Sequence, residues 1–143
     1  MLRQTPARAS AFSRLLAWSA DAGLVCALTA ACIAATLHLA DVRYAFDFVR
    51  DTAPLWCALL ALFCVAWSWF FTALAGRTPG MALAGHRLRT LQGDALTPAV
   101  ALVRAVLALT SAALGLYGFV LGLVDARGQT LHDKLCGCVA IVD

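Results

Sequence analysis

The sequence predicts an all-α integral membrane protein, a small helical bundle with a short strand pair at one end. Three observations predict this fold: 62% of the 143 residues are hydrophobic, only 13% are charged, and the mean hydropathy is +0.83. A soluble domain is about 45–50% apolar and about 25% charged, so the composition excludes a water-soluble globule. Chains that stay unfolded in water are poor in apolar residues, which excludes disorder. The length predicts a single domain over residues 1–143.

The first predicted span covers residues 15–40. From Ala22 to Ala40 there is no Asp, Glu, Lys or Arg, and this stretch rises about 28 Å, close to a hydrocarbon core of about 30 Å. The apolar region of a cleaved signal peptide is shorter than this stretch and does not begin with an acidic residue such as Asp21. We therefore disfavour the interpretation of this segment as a signal peptide. A lipoprotein cleavage box at residues 28–32 is disfavoured too, because Thr29 stands where an aliphatic residue is expected.

The second predicted span covers residues 54–76, which carry no charged residue. Its aromatic residues concentrate toward its end, as in the belts that mark membrane interfaces. The loop between the two spans, residues 41–52, has a net charge of −1. We expect this loop to face outward.

The third apolar segment, residues 99–124, is either a single crossing or a re-entrant hairpin broken near residues 111–115. With the N-terminus inside, a hairpin places eight Lys and Arg residues inside against two outside, whereas a crossing gives six against four. The positive-inside rule therefore favours the hairpin. The outside pair is Arg43 and Arg50, and the residues that differ between the alternatives are Arg127 and Lys134.

Two short segments, Leu83–Leu91 and Cys136–Val142, alternate partly between polar and apolar residues and are predicted strands. Residues 92–94 supply a turn signal after the first. Strands that pair at the membrane surface must lie on one side, which also favours the hairpin. Thr97 and Pro98 read as the N-cap and first-turn proline of the third helix.

Asp21 is unfavourable inside an apolar helix, because an ionised Asp near the centre of a bilayer raises the free energy of membrane insertion by about 2.5–3.5 kcal/mol. Arg14 lies two turns earlier on the same face, about 10.5 Å along the axis, so the two align without touching. We expect Arg104 to meet Asp21 from the third segment. The alternatives are a structural lock, a transport site, and an Asp21 at headgroup level.

The polar tail, residues 125–135, follows the third segment. One interpretation is an interfacial anchor in which Arg127 and Lys134 reach lipid phosphates. In the other, Asp125 and Asp133 complete an ion-binding cluster with the arginines. Spacing alone leaves both open.

The sequence gives little support for a metal site, a phosphate-binding loop, a catalytic site or a nucleic-acid surface. Cys136, Cys138 and His132 lack the second ligand pair of a zinc site, and residues 76–80 lack the lysine of a phosphate loop. No Ser-His-Asp order occurs in a suitable context, so we expect no enzyme and no cofactor. The net charge of +3 is too scattered for a nucleic-acid surface.

Three places together resemble the RDD family of bacterial membrane proteins, which is named for one Arg and two Asp. They are Arg14-Leu15-Leu16-Ala17 with Asp21, then Arg77-Thr78-Pro79-Gly80-Met81 with Gly85 and Arg87, and finally Arg104 with residues 129–135 and Gly137. The resemblance covers about residues 13–142.

The resemblance implies that Arg14 is the family arginine, Asp21 the first aspartate and Asp133 the second, with Asp125 the weaker choice. It implies a bacterial membrane protein. Together with the Lys and Arg count, this leads us to expect a multi-pass protein of the inner membrane with a cytoplasmic N-terminus. Transport has been proposed for the family, and some members are associated with sodium/proton exchange. The chain departs from the usual pattern at Pro79, His86 and Cys138.

Two functions follow as expectations. One is transport of a monovalent cation or another small ligand, with a proton carried by Asp21. The other is a non-transporting accessory or scaffold protein in which the same charges lock the fold. Besides the lipid bilayer, we expect a second copy of the chain as partner, because alanines at residues 30–35 allow close helix packing.

Overall fold

The computed structural model describes residues 10–41, 44–114, 120–121, 125 and 129–142. In chain order its elements are α1 (Ala11–Leu39), α2 (Ala45–Asp51), α3 (Ala53–Ala75), α4 (Pro79–Leu83), β1 (His86–Thr90), α5 (Pro98–Ala113), α6 (Leu131–Leu135) and β2 (Cys138–Val142). Arg3, Arg8, Arg43 and Arg127, which entered the charge count, lie outside the described residues, as do residues 115–119 and 122–124 of the third segment.

Helices α1 and α3 are long and apolar enough to cross a membrane. Only 11% and 6% of their apolar windows are buried within the protein. The core helix of a soluble protein would be mostly buried, so these faces suit a lipid solvent. Helix α3 ends at Gly76, whose positive φ of 67° suits a residue without a side chain.

The two predicted strands pair, which confirms that part of the sequence interpretation. β1 and β2 run antiparallel with a register from His86 opposite Val142 to Thr90 opposite Cys138. Both strands are shorter than predicted, because Leu83 ends α4 and Cys136 caps α6. They do not form a hairpin: α5 and α6 lie between them in the chain.

Helix α5 begins as predicted, with the Thr97 side chain accepting a hydrogen bond from the Val100 amide and Pro98 in the first turn. It packs on α3, where the Trp69 indole donates to the Pro98 carbonyl at 3.1 Å. The helix ends at Ala113, within the stretch where the sequence predicts a break.

The packed core lies at the end of α1 that carries Arg14, where α1 meets α4 and the two strands. Its buried members come from five parts of the chain: Ala17, Met81, Leu88, Leu96, Cys138 and Ala140. At this end of the molecule, residues distant in sequence therefore pack into a common core.

Candidate functional site: a buried arginine–aspartate cluster

Arg14 is placed by the first turn of α1. The Ser10 side chain caps this helix by accepting from the Ser13 amide. The Arg14 guanidinium then donates to Asp133 Oδ2 at 3.1 Å, and its Cζ lies 5.7 Å from the ring centre of Trp18, one turn on. The ring face adds a cation–π contact to the ion pair.

Arg104 approaches the same carboxylate from α5. Its Nε donates to Asp133 Oδ1 at 2.7 Å, a short charge-assisted bond. Arg104 is 4% exposed and Asp133 is 1% exposed, so both partners are taken out of solvent. A buried ion pair depends on such complete partnering, because an unpaired buried charge is costly.

Asp133 is positioned by the short helix α6. The Thr130 side chain caps α6 and accepts a hydrogen bond from the Asp133 amide. Burial alone would raise the pKa of the Asp133 carboxyl, but the facing cations, Arg104 foremost, lower it to about 2. Asp133 is therefore a carboxylate at neutral pH. We call Arg14, Arg104 and Asp133 the charge cluster.

The Cys138 thiol lies against this carboxylate. Its Sγ is 3.6 Å from both the carbonyl oxygen and Oδ1 of Asp133. Burial, followed by the negative charge of Asp133, raises the pKa of Cys138 to about 12. A protonated thiol donates to the carboxylate, whereas a metal ligand would need the thiolate. The described residues contain no group of three or more His, Cys, Asp or Glu side chains arranged to hold a metal ion.

Asp21 does not pair with Arg104, so that expectation is wrong. Its carboxylate accepts hydrogen bonds from the Trp67 indole at 3.1 Å, the Gly80 amide at 2.9 Å and the Thr78 hydroxyl. Arg104 lies instead at the depth of Arg14, where both reach Asp133.

Gly80 makes the Asp21 contact possible. A Cβ at this position would lie 2.1 Å from the Ala17 carbonyl oxygen and 2.8 Å from the Asp21 carboxyl. Only glycine lets α4 approach α1 closely enough for the amide to reach the carboxylate. We call Asp21, Trp67, Thr78 and Gly80 the α4 clasp.

Asp125 belongs to neither group. It accepts from Lys134 Nζ at 2.6 Å and from the Gln129 amide at 3.1 Å. The Lys134 side chain is 60% exposed, so this pair lies at the surface. Of the five predicted site residues, the structure thus brings together Arg14, Arg104 and Asp133 and separates Asp21 and Asp125 from them.

The sequence did not predict the donors of the α4 clasp. Thr78 and Pro79 carry the same cap-and-proline signature that predicted the start of α5, and this signature would have revealed α4. It also missed His86, which is 2% exposed and has its Nε2 2.9 Å from the Ser13 hydroxyl. No local signal pairs His86 with Ser13, because the contact joins β1 to α1.

A small cavity of about 10 Å³ adjoins the charge cluster, with Arg14, Trp18, His86, Arg104 and Asp133 among its lining residues. A space of this size holds about one water molecule. The cluster is therefore nearly filled by its own side chains.

Comparison with known proteins gives one match. A family model described as the RDD family matches residues 8–137, which is most of the chain. No curated protein and no solved structure matches significantly. The matched range contains all the residues of the charge cluster and of the α4 clasp.

Proposed function

The chain belongs to the RDD family and is a membrane protein, and we propose that it works as a non-transporting accessory or scaffold protein whose buried charges lock its fold. The single observation that carries the proposal is the Asp133 carboxylate, 1% exposed and held by Arg14 of α1 and Arg104 of α5. One side chain thus ties three elements together.

Asp133 is unsuited to carrying a proton. A carboxyl with a pKa of about 2 stays ionised across physiological pH, and a proton carrier needs a pKa near the working pH. Its two guanidinium partners also exclude a cation. These properties support a structural role for the charge cluster.

Both carboxylate oxygens of Asp21 also accept hydrogen bonds. The Trp67, Thr78 and Gly80 donors present partial positive charge to its two oxygens. A Na⁺ ion needs oxygen ligands around it, so it would have to displace these donors and reorganise α4. The arrangement supports a clasp between α1 and α4.

The end of the molecule that carries the charge cluster offers a surface for a partner. Leu83, Leu91 and Leu135 are 81%, 52% and 65% exposed; Leu83 and Leu135 end α4 and α6, and Leu91 directly follows β1. Exposed leucines on a rigid, locked frame suit a docking role.

A second function, proton-coupled cation transport through Asp21, is favoured by one observation. Asp21 is only half-buried although it lies within a predicted membrane span. A conduction path would need further walls, which a homo-oligomer would supply.

Flux measurements separate the two functions. Wild type, Asp21→Asn and the exposed control Asp47→Asn are reconstituted in proteoliposomes loaded with a pH-sensitive dye, and Na⁺ or K⁺ gradients are applied. We expect no cation-dependent proton movement in the wild type, together with a lower melting temperature for Asp21→Asn alone. Proton movement that Asp21→Asn abolishes without loss of insertion or melting temperature would instead establish transport.

We further propose that the third segment is re-entrant and that the N-terminus is cytoplasmic in a bacterial inner membrane. The Lys and Arg count supports this orientation. The β1–β2 pairing supports re-entry, since it brings the chain after α5 back to the strand that precedes α5.

A further inference from the structure

Helix α2 separates its apolar and charged residues completely. At 100° per residue, Ala45, Phe46, Phe48 and Val49 fall within an arc of about 160°, and the remaining positions face the other way. On that opposite side Arg50 pairs with Asp47 at 3.4 Å and with Asp51 at 3.2 Å. The single cation of the helix thus pairs with both of its carboxylates, and all three charges lie on one side, which leaves the other side entirely apolar.

The first turn of the apolar face, at Ala45 and Phe46, is exposed, whereas Phe48 and Val49 are half-buried. Phe46 is 79% exposed, Tyr44 immediately before the helix is 77% exposed, and α2 buries none of its residues. In water such aromatic exposure would be unfavourable, because the transfer of apolar surface out of water is favourable.

The position of α2 indicates what covers this face. The helix lies between the ends of the two apolar helices, α1 and α3, about 38 Å along α1 from Arg14. The α2–α3 junction is fixed, because the Thr52 hydroxyl donates to the Phe48 carbonyl at 2.6 Å and accepts from the Trp56 indole at 2.9 Å. Only one residue separates α2 from α3, and the apolar window of α3 is only 6% buried, so the exposed side chains of α2 adjoin a helix that faces lipid.

We propose that α2 is an interfacial helix that inserts Phe46 into the lipid bilayer at the boundary between headgroups and acyl chains. Its occupant is the lipid surface itself, as for other helices with one aromatic face and one charged face. The charges of α2 sum to −1, so the contact needs no anionic lipid. The helix sets the depth at which α1 and α3 end.

Photo-cross-linking tests this contact. Phe46→p-benzoylphenylalanine is compared with Asp47→p-benzoylphenylalanine on the charged face, in full-length protein reconstituted in phosphatidylcholine vesicles. Leu62→p-benzoylphenylalanine, in the middle of α3 and 62% exposed in the wild type, verifies the probe. Adducts are identified by intact-protein mass spectrometry.

We expect irradiation to add the mass of one phosphatidylcholine at positions 46 and 62, with at least a five-fold lower yield at 47. Adding phosphatidylglycerol leaves the yield at 46 unchanged. A cross-linked dimer at 46 without lipid adduct, equal lipid yields at 46 and 47, or no adduct at 46 while 62 reacts would each overturn the proposal. Ala45→p-benzoylphenylalanine, also exposed on the apolar face, repeats the measurement if the variant at 46 does not insert.

Discussion

Asp133 shows how one residue sets the energetics of a locked site. Burial of its carboxylate costs free energy. The attraction to the guanidinium groups of Arg14 and Arg104 offsets this cost only while both groups remain in place. The same residue sits in the first turn of α6, where a negative charge also favours the helix N-terminus. Its contribution is therefore cooperative.

Removing one partner from the charge cluster should be strongly destabilising. We expect Arg104→Gln to lower the free energy of unfolding by about 3–5 kcal/mol, because the Asp133 carboxylate loses its closest cation while still buried. Thermal unfolding in detergent, followed by near-ultraviolet circular dichroism, measures the effect. The control is Lys134→Gln at the exposed Asp125 pair, where we expect at most about 1 kcal/mol. Equal losses in the two variants would contradict a buried lock.

His132 should make the fold sensitive to mild acid. Burial, followed by the charge of Arg104, lowers its pKa from 6.5 to about 4. In the unfolded chain His132 therefore binds a proton below about pH 6.5, whereas in the folded chain it binds one only below about pH 4. Because the unfolded state binds more protons between these values, stability falls as the pH drops from about 6.5 to about 4.

The loss associated with His132 would reach about 3 kcal/mol at pH 4, at 1.36 kcal/mol for each pKa unit. Melting temperatures of wild type and His132→Gln between pH 7.5 and 4 measure it. We expect the variant to be less stable at pH 7.5 but to show a flatter pH dependence. Parallel curves for the two proteins would assign the acid sensitivity to other groups.

Among the contacts between elements, the close approach of α4 to α1 is the one that positions the α4 clasp. The sequence predicted the existence of both strands because their alternation is local, and it predicted the start of α5 from Thr97 and Pro98. It misassigned the partner of Asp21 because axial spacing along α1 does not reveal which later segment reaches each depth. The donors at Thr78 and Gly80 are the N-cap and a first-turn residue of a five-residue helix, which is too short to show a periodic pattern.

Gly80→Ala should separate α4 from α1. The added methyl group would overlap the Ala17 carbonyl oxygen, which belongs to a helix backbone and cannot move alone. We expect destabilisation of about 1–3 kcal/mol, as for overpacked cores, and loss of the Asp21 contacts. Thermal unfolding in detergent and the amount of protein in membranes measure the change.

The matched control for Gly80→Ala is Gly23→Ala in the middle of α1, where an added Cβ meets nothing within 4 Å. We expect that variant to be unchanged or slightly more stable, since alanine favours a helix by about 0.5–1 kcal/mol over glycine. Similar destabilisation at both positions would show that close approach at Gly80 is not the cause.

For the whole molecule, composition alone predicted the membrane environment, because lipid-facing helices need apolar residues all around. It could not predict the packed end, where a core of six residues joins α1, α4 and the strands. Those contacts arise between segments far apart in sequence, and residues such as Cys138 and Ala140 look the same whether they face lipid or protein. The stable unit is thus a locked end from which two apolar helices extend.

This arrangement predicts on which side of the membrane each end of the chain lies. If the third segment re-enters, Ser10 before α1 and Val142 in β2 share one side, and Asp47 of α2 lies on the other. A membrane-impermeant maleimide applied to spheroplasts should label Asp47→Cys directly, but Ser10→Cys and Val142→Cys only after permeabilisation. Wild type, whose cysteines include Cys26 and Cys57 in the spans, sets the background. Labelling of Val142→Cys from the same side as Asp47→Cys would require a single crossing and would break the proposed relation between strand pairing and topology.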